Sequence, residues 1–500
     1  MLAIPLLTLL IILPLAGGGV MLFCAKRLET CRAAALAVSL LELVLVAGLL
    51  SLPAGLSPGK GTWLLWEDYA WFPALGIRYT LGLDGVSLLL ILLTALLQVL
   101  CVLVSWRQIS DRPALYYFLL FFMQAGINGL FLAQDLFLFY LFWELQLIPM
   151  FFLLGMWGHE ERIYASLKLV LFSLSGSILM LLGVLGLYTL HGSLTGQYTF
   201  SLASLAASPP AGSMQLWLMA AFLAGFAVKV PLVPLQTWLP DAHTQAPTAG
   251  SVFLAGVLLK TGVYAIFRIA FPLLPLAMVQ VAPILMVLAL FGVFYAAWVA
   301  RVQEDLKRLV AYSSIAHLGL VVLGLAVWNL LSVSGAVLQM INHGLSTSAL
   351  FILAGMLQDR LASRRLADMG GLWHTMPVFS AFLLFFAMAS LGLPGLNNFV
   401  GELLVLVGTY QAYPLAAIAG FAGLAWGVMY VLKMVQATLF GPSREQQKLK
   451  DVSGREALIL GVLAAAVLFI GLHPGPVLEL IEAPVGALLN GKAHVALAAP

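Results

Sequence analysis

The chain has 500 residues, of which 62% are hydrophobic and only 9% are Asp, Glu, Lys or Arg. A mean hydropathy of +1.04 excludes a soluble globular protein, and a formal net charge of +3 is too small to point to nucleic acid. What remains is a chain that crosses a lipid bilayer repeatedly, each crossing needing about 20 mostly apolar residues.

Taken in chain order, the apolar runs predict fourteen spans, at 3–24, 32–52, 82–106, 113–133, 135–157, 163–190, 214–239, 249–271, 276–300, 305–327, 330–358, 376–408, 410–440 and 455–473. The first run, Leu2 to Cys24, is too long for a signal-peptide core and lacks a small-residue cleavage site, so it reads as a retained span. Most connections are short. The two long ones are 53–81, rich in Trp and Pro, and the polar 191–213; Trp63, Trp66 and Trp71 suit the headgroup level. Cys24, Cys31 and Cys101 have no metal-ligand spacing, and no glycine-rich nucleotide loop is present, so no cofactor or metal site is expected in this chain.

Basic residues set the orientation. Sixteen of the 24 Lys and Arg fall in the odd-numbered connections, among them Lys26, Arg107, Lys307, Arg444, Lys448 and Arg455. Only Lys60, Arg78 and Lys492 fall on the other side. The positive-inside rule then makes the odd connections cytoplasmic and puts both termini on the opposite face.

Spans 4–8 and 9–13 are alike in length, and each set holds one interrupted helix. The first interruption is Lys229-Val230-Pro231-Leu232-Val233-Pro234; the second is Leu391-Gly392-Leu393-Pro394-Gly395-Leu396-Asn397-Asn398. Prolines there remove backbone donors and clash with the preceding turn. Broken helices at matching places in two halves point to an inverted-repeat transporter, and five spans per half forces the halves to enter from opposite faces. Irregular backbone inside a bilayer persists only where protein or water satisfies it. The plain alternative is that Pro and Gly merely kink bundle helices. The expected division is a three-helix flank at 1–112, halves at 113–271 and 276–440, and a C-terminal span and tail at 441–500.

Six ionisable residues stand in or beside the middle of these spans: Glu144, Lys229, Lys260, His317, His343 and Glu402. A charge at the centre of a spanning helix costs roughly 2.5–3.5 kcal/mol on insertion scales, so each needs a reason. Glu144 has no basic partner on its own helix, and Lys229 in the first break is its expected partner, either as a switching pair or as a structural one. Lys260 stands about 15 Å by helical rise from either end of its span and cannot snorkel; a proton carrier explains it best. His317 and His343 are central in adjacent spans, where imidazoles shuttle protons with little driving force. Glu402 follows the second break and would end the relay. Thr261, Ser313, Ser314, Ser346, Thr347 and Ser348 either hold water nearby or bond their own helix carbonyls. Glu42 reads as a seam residue, and Lys168 and Lys433 as snorkelling.

Two strings are more specific than any of this. The stretch from Lys229 to Ser251, KVPLVPLQTWLPDAHTQAPTAGS, and the stretch from Asp305 to His317, DLKRLVAYSSIAH, resemble the antiporter-like subunits of respiratory complex I, a superfamily that includes multisubunit sodium/proton antiporters and membrane-bound hydrogenases. The resemblance runs over essentially the whole chain. It implies an all-α polytopic fold of about fourteen spans, an inverted repeat of spans 4–8 and 9–13, and one proton channel. It also implies that Glu144 and Lys229 form the input pair, Lys260 the centre, His317 and His343 the link, and Glu402 the terminal acid. Subunits L and N typically carry lysine in the second broken helix, so the glutamate here points to the third antiporter-like type. The resemblance further implies a bacterial inner membrane, L- and N-like neighbours, and NADH, FMN, iron–sulfur clusters and quinone held by partner subunits. A subunit of a sodium/proton antiporter or hydrogenase, or a structural membrane-arm subunit with an inactive channel, are the alternatives.

Overall fold

The computed structural model describes residues 5–23, 27–52, 63–440 and 449–496, with side chains as far as residue 490. Cys24, Lys26, Lys60, Arg444 and Lys448 lie outside the described residues, as does the side chain of Lys492.

Among the described residues, twelve helices are long and apolar enough to cross a membrane. They are α1 (Leu6–Phe23), α2 (Leu28–Leu49), α3 (Gly85–Gln108), α4 (Pro113–Leu132), α5 (Leu136–Trp157), α6 (Arg162–Thr195), α9 (Thr248–Leu273), α10 (Pro275–Val302), α11 (Leu306–Val327), α12 (Leu330–Leu361), α15 (Pro414–Phe440) and α16 (Gly454–Leu472). The seventh and twelfth predicted spans are each two pieces: α7 (Met214–Lys229) with α8 (Trp238–Gln245), and α13 (Pro377–Ser390) with α14 (Asn397–Ala412). Both interruptions thus fall where the Pro and Gly clusters place them.

Local signals start several helices. Asp84 caps α3 by accepting from Ser87 N, Asp135 caps α5, and Asp305 caps α11. Asn329 with Ser332, and Ser453 with Glu456, form reciprocal capping boxes on α12 and α16.

The connections sort into two groups by contact. At one end, Arg32 donates to Ile109 O, His159 N to Gln245 O, Leu306 N to Arg364 O and Lys433 to Arg301 O. At the other, Tyr188 donates to Leu75 O, Leu136 N to Phe200 O and Leu276 N to Gln215. Odd and even connections therefore occupy opposite ends, as an alternating membrane path requires.

The centre is made by α9 and α12, whose most apolar stretches are 100% buried, and by α11 at 94%. By contrast α2 is 33% and α16 28% buried, so these lie outside. Those three enclosed helices carry Lys260, His317 and His343.

Two segments differ from the sequence reading. Within the connection predicted at 53–81, β1 (Leu65–Phe72) and β2 (Ile77–Leu83) form an antiparallel hairpin with Tyr69 opposite Tyr79. Gly76 turns it at φ +67° in the left-handed region, packed so closely on Tyr198 O that no Cβ fits. The tail expected after the last span is helical: α17 (Gly475–Ala496) packs against α3 and α12. Its buried Val477, Ile481 and Val485 recur every four residues, a helical stripe that sequence reading passed over.

Candidate functional site

Lys260 is wholly buried on α9, between two π-helical turns at Leu254–Leu258 and Ile266–Ala270. Such turns are rare and cluster at functional sites. The Lys260 ammonium donates back to Ala255 O and lies 2.7 Å from His343 Nδ1 on α12. The rings of His343 and His317 are 5.6 Å apart by centroid. That separation suits one bridging water rather than a direct bond, and His343 Nε2 has no protein partner. His317 Nδ1 lies 3.3 Å from Glu402 Oε1, close enough for an ion pair but off the line of a hydrogen bond. Ser390 Oγ is 3.3 Å from His317 Nε2, and Gln339 Nε2 donates to Glu402 Oε1 at 3.3 Å. Four of the six residues singled out thus form one contiguous line, Lys260–His343–His317–Glu402.

The second break shapes the far end of this line. Gly392 has φ +70°, and a Cβ there would collide with the Glu402 carboxylate. A small cavity beside His317 and Glu402 is lined also by Ser390, Gly427 and Tyr430. Gly392→Ala is expected to add about 1–3 kcal/mol of local strain and to push Glu402 off His317. If the line carries protons, as the resemblance implies, pumping by assembled protein in vesicles should then fall, and unchanged pumping would show that this contact is dispensable.

The first break is built differently from the expectation. Lys229 is buried at the end of α7, but its ammonium sits 5.2 Å over the Trp143 ring, a cation–π placement, and no ion pair joins it to Glu144. Glu144 is half-buried on α5, with Oε1 enclosed and unpartnered. Glu144 still acts on Lys229 electrostatically, so the two charges share a neighbourhood without a direct ion pair, and the Trp143 ring lies beside the lysine. Trp238 Nε1 donates to Val228 O at 2.9 Å, holding the end of α7 beside the break. Gly262 on α9 packs where a Cβ would lie 3.0 Å from Lys229 Cβ, so the missing side chain lets the Lys260 helix close on the break.

Other expectations resolve into ordinary contacts. Thr261, Ser313, Ser314 and Ser346 each donate to a carbonyl three or four residues back. Lys168 does not snorkel: it pairs with Asp241 at 2.6 Å. Lys433 donates to Arg301 O and Gln303 O at the basic end. Glu42 is fully buried at a seam, accepting from Asn128 Nδ2 at 2.7 Å.

Sequence reading missed two groups near the line. His243 stacks on Phe351 with centroids 4.3 Å apart and has both ring nitrogens unpartnered; Lys260 and Lys307 act on it electrostatically. Lys307 was counted as a loop cation but is 1% exposed, donating to Ala246 O at 3.4 Å. A histidine inside the quoted string and a lysine on the first turn of an enclosed helix were the available signals. In the nearby 158–161 connection, burial and the cations Lys307 and Arg364 push His159 down to about 4, so it is neutral at physiological pH.

The family described as "NADH:quinone oxidoreductase/Mrp antiporter, TM" matches residues 133–425, the stretch that contains both breaks and all six residues. The chain is 45% identical over 432 residues, 85% of each chain, to NADH-quinone oxidoreductase subunit M of Pseudomonas aeruginosa. It is 42% identical over 438 residues, 86% of each, to that subunit of Escherichia coli. Among solved structures it superposes with TM-score 0.86 and 33% identity on a chain of respiratory complex I from Thermus thermophilus with bound NADH, covering 97% of this chain and 99% of that one. The chain therefore belongs to the membrane-spanning NADH:quinone oxidoreductase/Mrp antiporter family, among the relatives named NADH-quinone oxidoreductase subunit M.

Proposed function

We propose that this chain is a proton-translocating membrane-arm subunit of an NADH–quinone oxidoreductase, and that Glu144, Lys229, Lys260, His317, His343 and Glu402 carry the proton path. The observation that carries the reading is the line Lys260–His343–His317–Glu402, with 2.7 Å between its first two members and 3.3 Å between its last two. Titratable groups at such spacing, enclosed in three buried helices, can pass a proton by short hops with one water between the imidazoles. The line spans from the helix packed on the first break to the acid at the second.

In this reading 113–271 and 276–440 are inverted halves, with 1–112 and 441–500 flanking them, and each half contributes one broken helix. Lys229 over Trp143, with Glu144 nearby, is the input side. Movement of either charge would change the field at Lys260, whose helix packs on Lys229 at Gly262. The redox chemistry belongs to partner subunits that hold NADH, FMN, iron–sulfur clusters and quinone, and L- and N-like subunits flank this one. The chain sits in a bacterial inner membrane with its basic connections cytoplasmic and both termini periplasmic. Moving one charge against 100 mV needs about 2.3 kcal/mol, a scale that a desolvated ion pair reaches.

Glu144→Ala and Lys229→Ala in the assembled complex are each expected to lower NADH-driven proton pumping about tenfold, a change of roughly 1.4 kcal/mol. Proton uptake into inverted vesicles, with assembly checked by native gel, measures it. Full pumping by assembled variants would sink the input role. The family description also names an antiporter, which supports a second reading as a sodium/proton antiporter subunit. Purification through a tag on this chain separates the two, since flavin and iron–sulfur subunits accompany it only in the first.

A further inference from the structure

At the basic end of the bundle, where α3 and α12 finish and α16 begins, lies a cavity of about 660 Å³. Val104, Met356 and Ile459 make it apolar, while Arg107, Lys450 and Arg455 line it with positive charge. Three acids also line it, and each is already engaged. Glu456 receives Arg360 at 2.8 Å and closes the Ser453 capping box. Asp451 accepts from Val378 N and Phe379 N at 2.9 and 3.0 Å. Asp359 accepts from Gln108 Nε2.

The cations are left over. Arg107, Lys450 and Arg455 show no ion pair to any described residue, and Arg455 Nη1 is buried without an acceptor. At Arg455, burial and the like charges Arg107 and Arg32 outweigh the attraction of Glu456 and Tyr117. A buried guanidinium nitrogen with no acceptor, beside two more arginines, is costly unless an anion fills the gap.

We propose that this cavity binds the phosphate group of an anionic phospholipid, with Arg107 and Arg455 on the phosphate oxygens and Lys450 beside them. Two features favour a lipid over a soluble anion. The apolar wall of Val104, Met356 and Ile459 suits glycerol and the first acyl carbons, and α16 is among the least buried helices, with Leu458 58% exposed nearby. Basic pockets between spans on the cytoplasmic side take such headgroups. The inference rests on the membrane reading alone and not on the identity of the redox partners.

The test uses the full-length chain in the membrane complex it purifies with, washed in detergent and incubated with phosphatidylglycerol, phosphatidylcholine or inorganic phosphate. Bound lipid is counted by mass spectrometry. Wild-type protein should retain about one more phosphatidylglycerol per copy than R107Q/R455Q. Phosphatidylcholine should not replace it, and inorganic phosphate should not displace it. Arg107→Gln alone, at an exposed position, should cut retention about tenfold with NADH oxidation unchanged, so the result does not depend on how Arg455 variants fold. Equal retention in wild type and R107Q overturns the proposal. So does displacement by inorganic phosphate, or a photo-crosslinker at position 107 that captures a neighbouring subunit's polypeptide instead of lipid.

Discussion

Lys260→Ala should lower NADH-driven proton pumping by at least about a hundredfold, the scale on which removal of a positioned proton-transfer group acts, while the complex still assembles. The side chain is fully buried and bonds Ala255 O and His343 Nδ1. Alanine removes both links to its neighbours. Lys260→Arg is the sharper variant. Arginine keeps the charge but cannot deprotonate in a protein, so it restores the electrostatics without the proton exchange. If Lys260 carries the proton, both variants lose pumping, measured as acidification of inverted vesicles at matched assembly. If Lys260 only stabilises its surroundings, Lys260→Arg retains it, and that outcome would falsify the carrier role. The same logic places Glu402→Gln with the losing variants, since the amide holds its bond to Gln339 but cannot exchange a proton with His317.

The line from Lys260 to Glu402 was legible because membrane burial turns rare charge into signal. In a chain with 9% charged residues, a lysine, two histidines and a glutamate in mid-span stand out, and all four meet in the fold. The breaks were legible for a related reason: Pro and Gly act through local backbone chemistry, which a sequence displays directly. Contacts between distant segments were not. Lys168 looks like a snorkelling cation until α8 brings Asp241, 73 residues on, to 2.6 Å. The pairing expected between Glu144 and Lys229 is present as an electrostatic interaction without a direct ion pair, and chain order says nothing of the indole beside the lysine. Hairpin β1–β2 was hidden in a Trp-rich stretch whose alternation is blurred by the irregular register between Ala70 and Phe72. Lys307 shows the limit of counting charges by connection, since one helical turn moves a loop cation into the core.

Arg268→Ala tests a buried ion pair that sequence could not anticipate, and it should fail in the opposite way from Lys260→Ala. Arg268 lies two helical turns beyond Lys260 on α9 and pairs with Asp84, 184 residues away, the two side chains being 8% and 1% exposed. Around them Arg268 Nε donates to Tyr264 Oη at 3.1 Å, Tyr264 and Ser87 both donate to Phe131 O at 2.8 Å, and the guanidinium lies 5.2 Å from the Trp63 ring. The cluster therefore ties the start of α3, the ends of α4 and α9, and the segment leading into the hairpin. Breaking a buried pair by removing one partner costs about 3–5 kcal/mol, because the other charge stays buried and uncompensated. Arg268→Ala should accordingly lower the yield of assembled complex and its resistance to heating in detergent, whereas D84N/R268M, which removes both charges, should recover most of both. Pumping per assembled complex should be near wild type in the double variant, because neither group touches the line from Lys260 to Glu402. Loss of pumping at full assembly in that variant would instead give the pair a part in pumping. Normal heat resistance of Arg268→Ala would mean that water reaches Asp84 freely, against its 1% exposure.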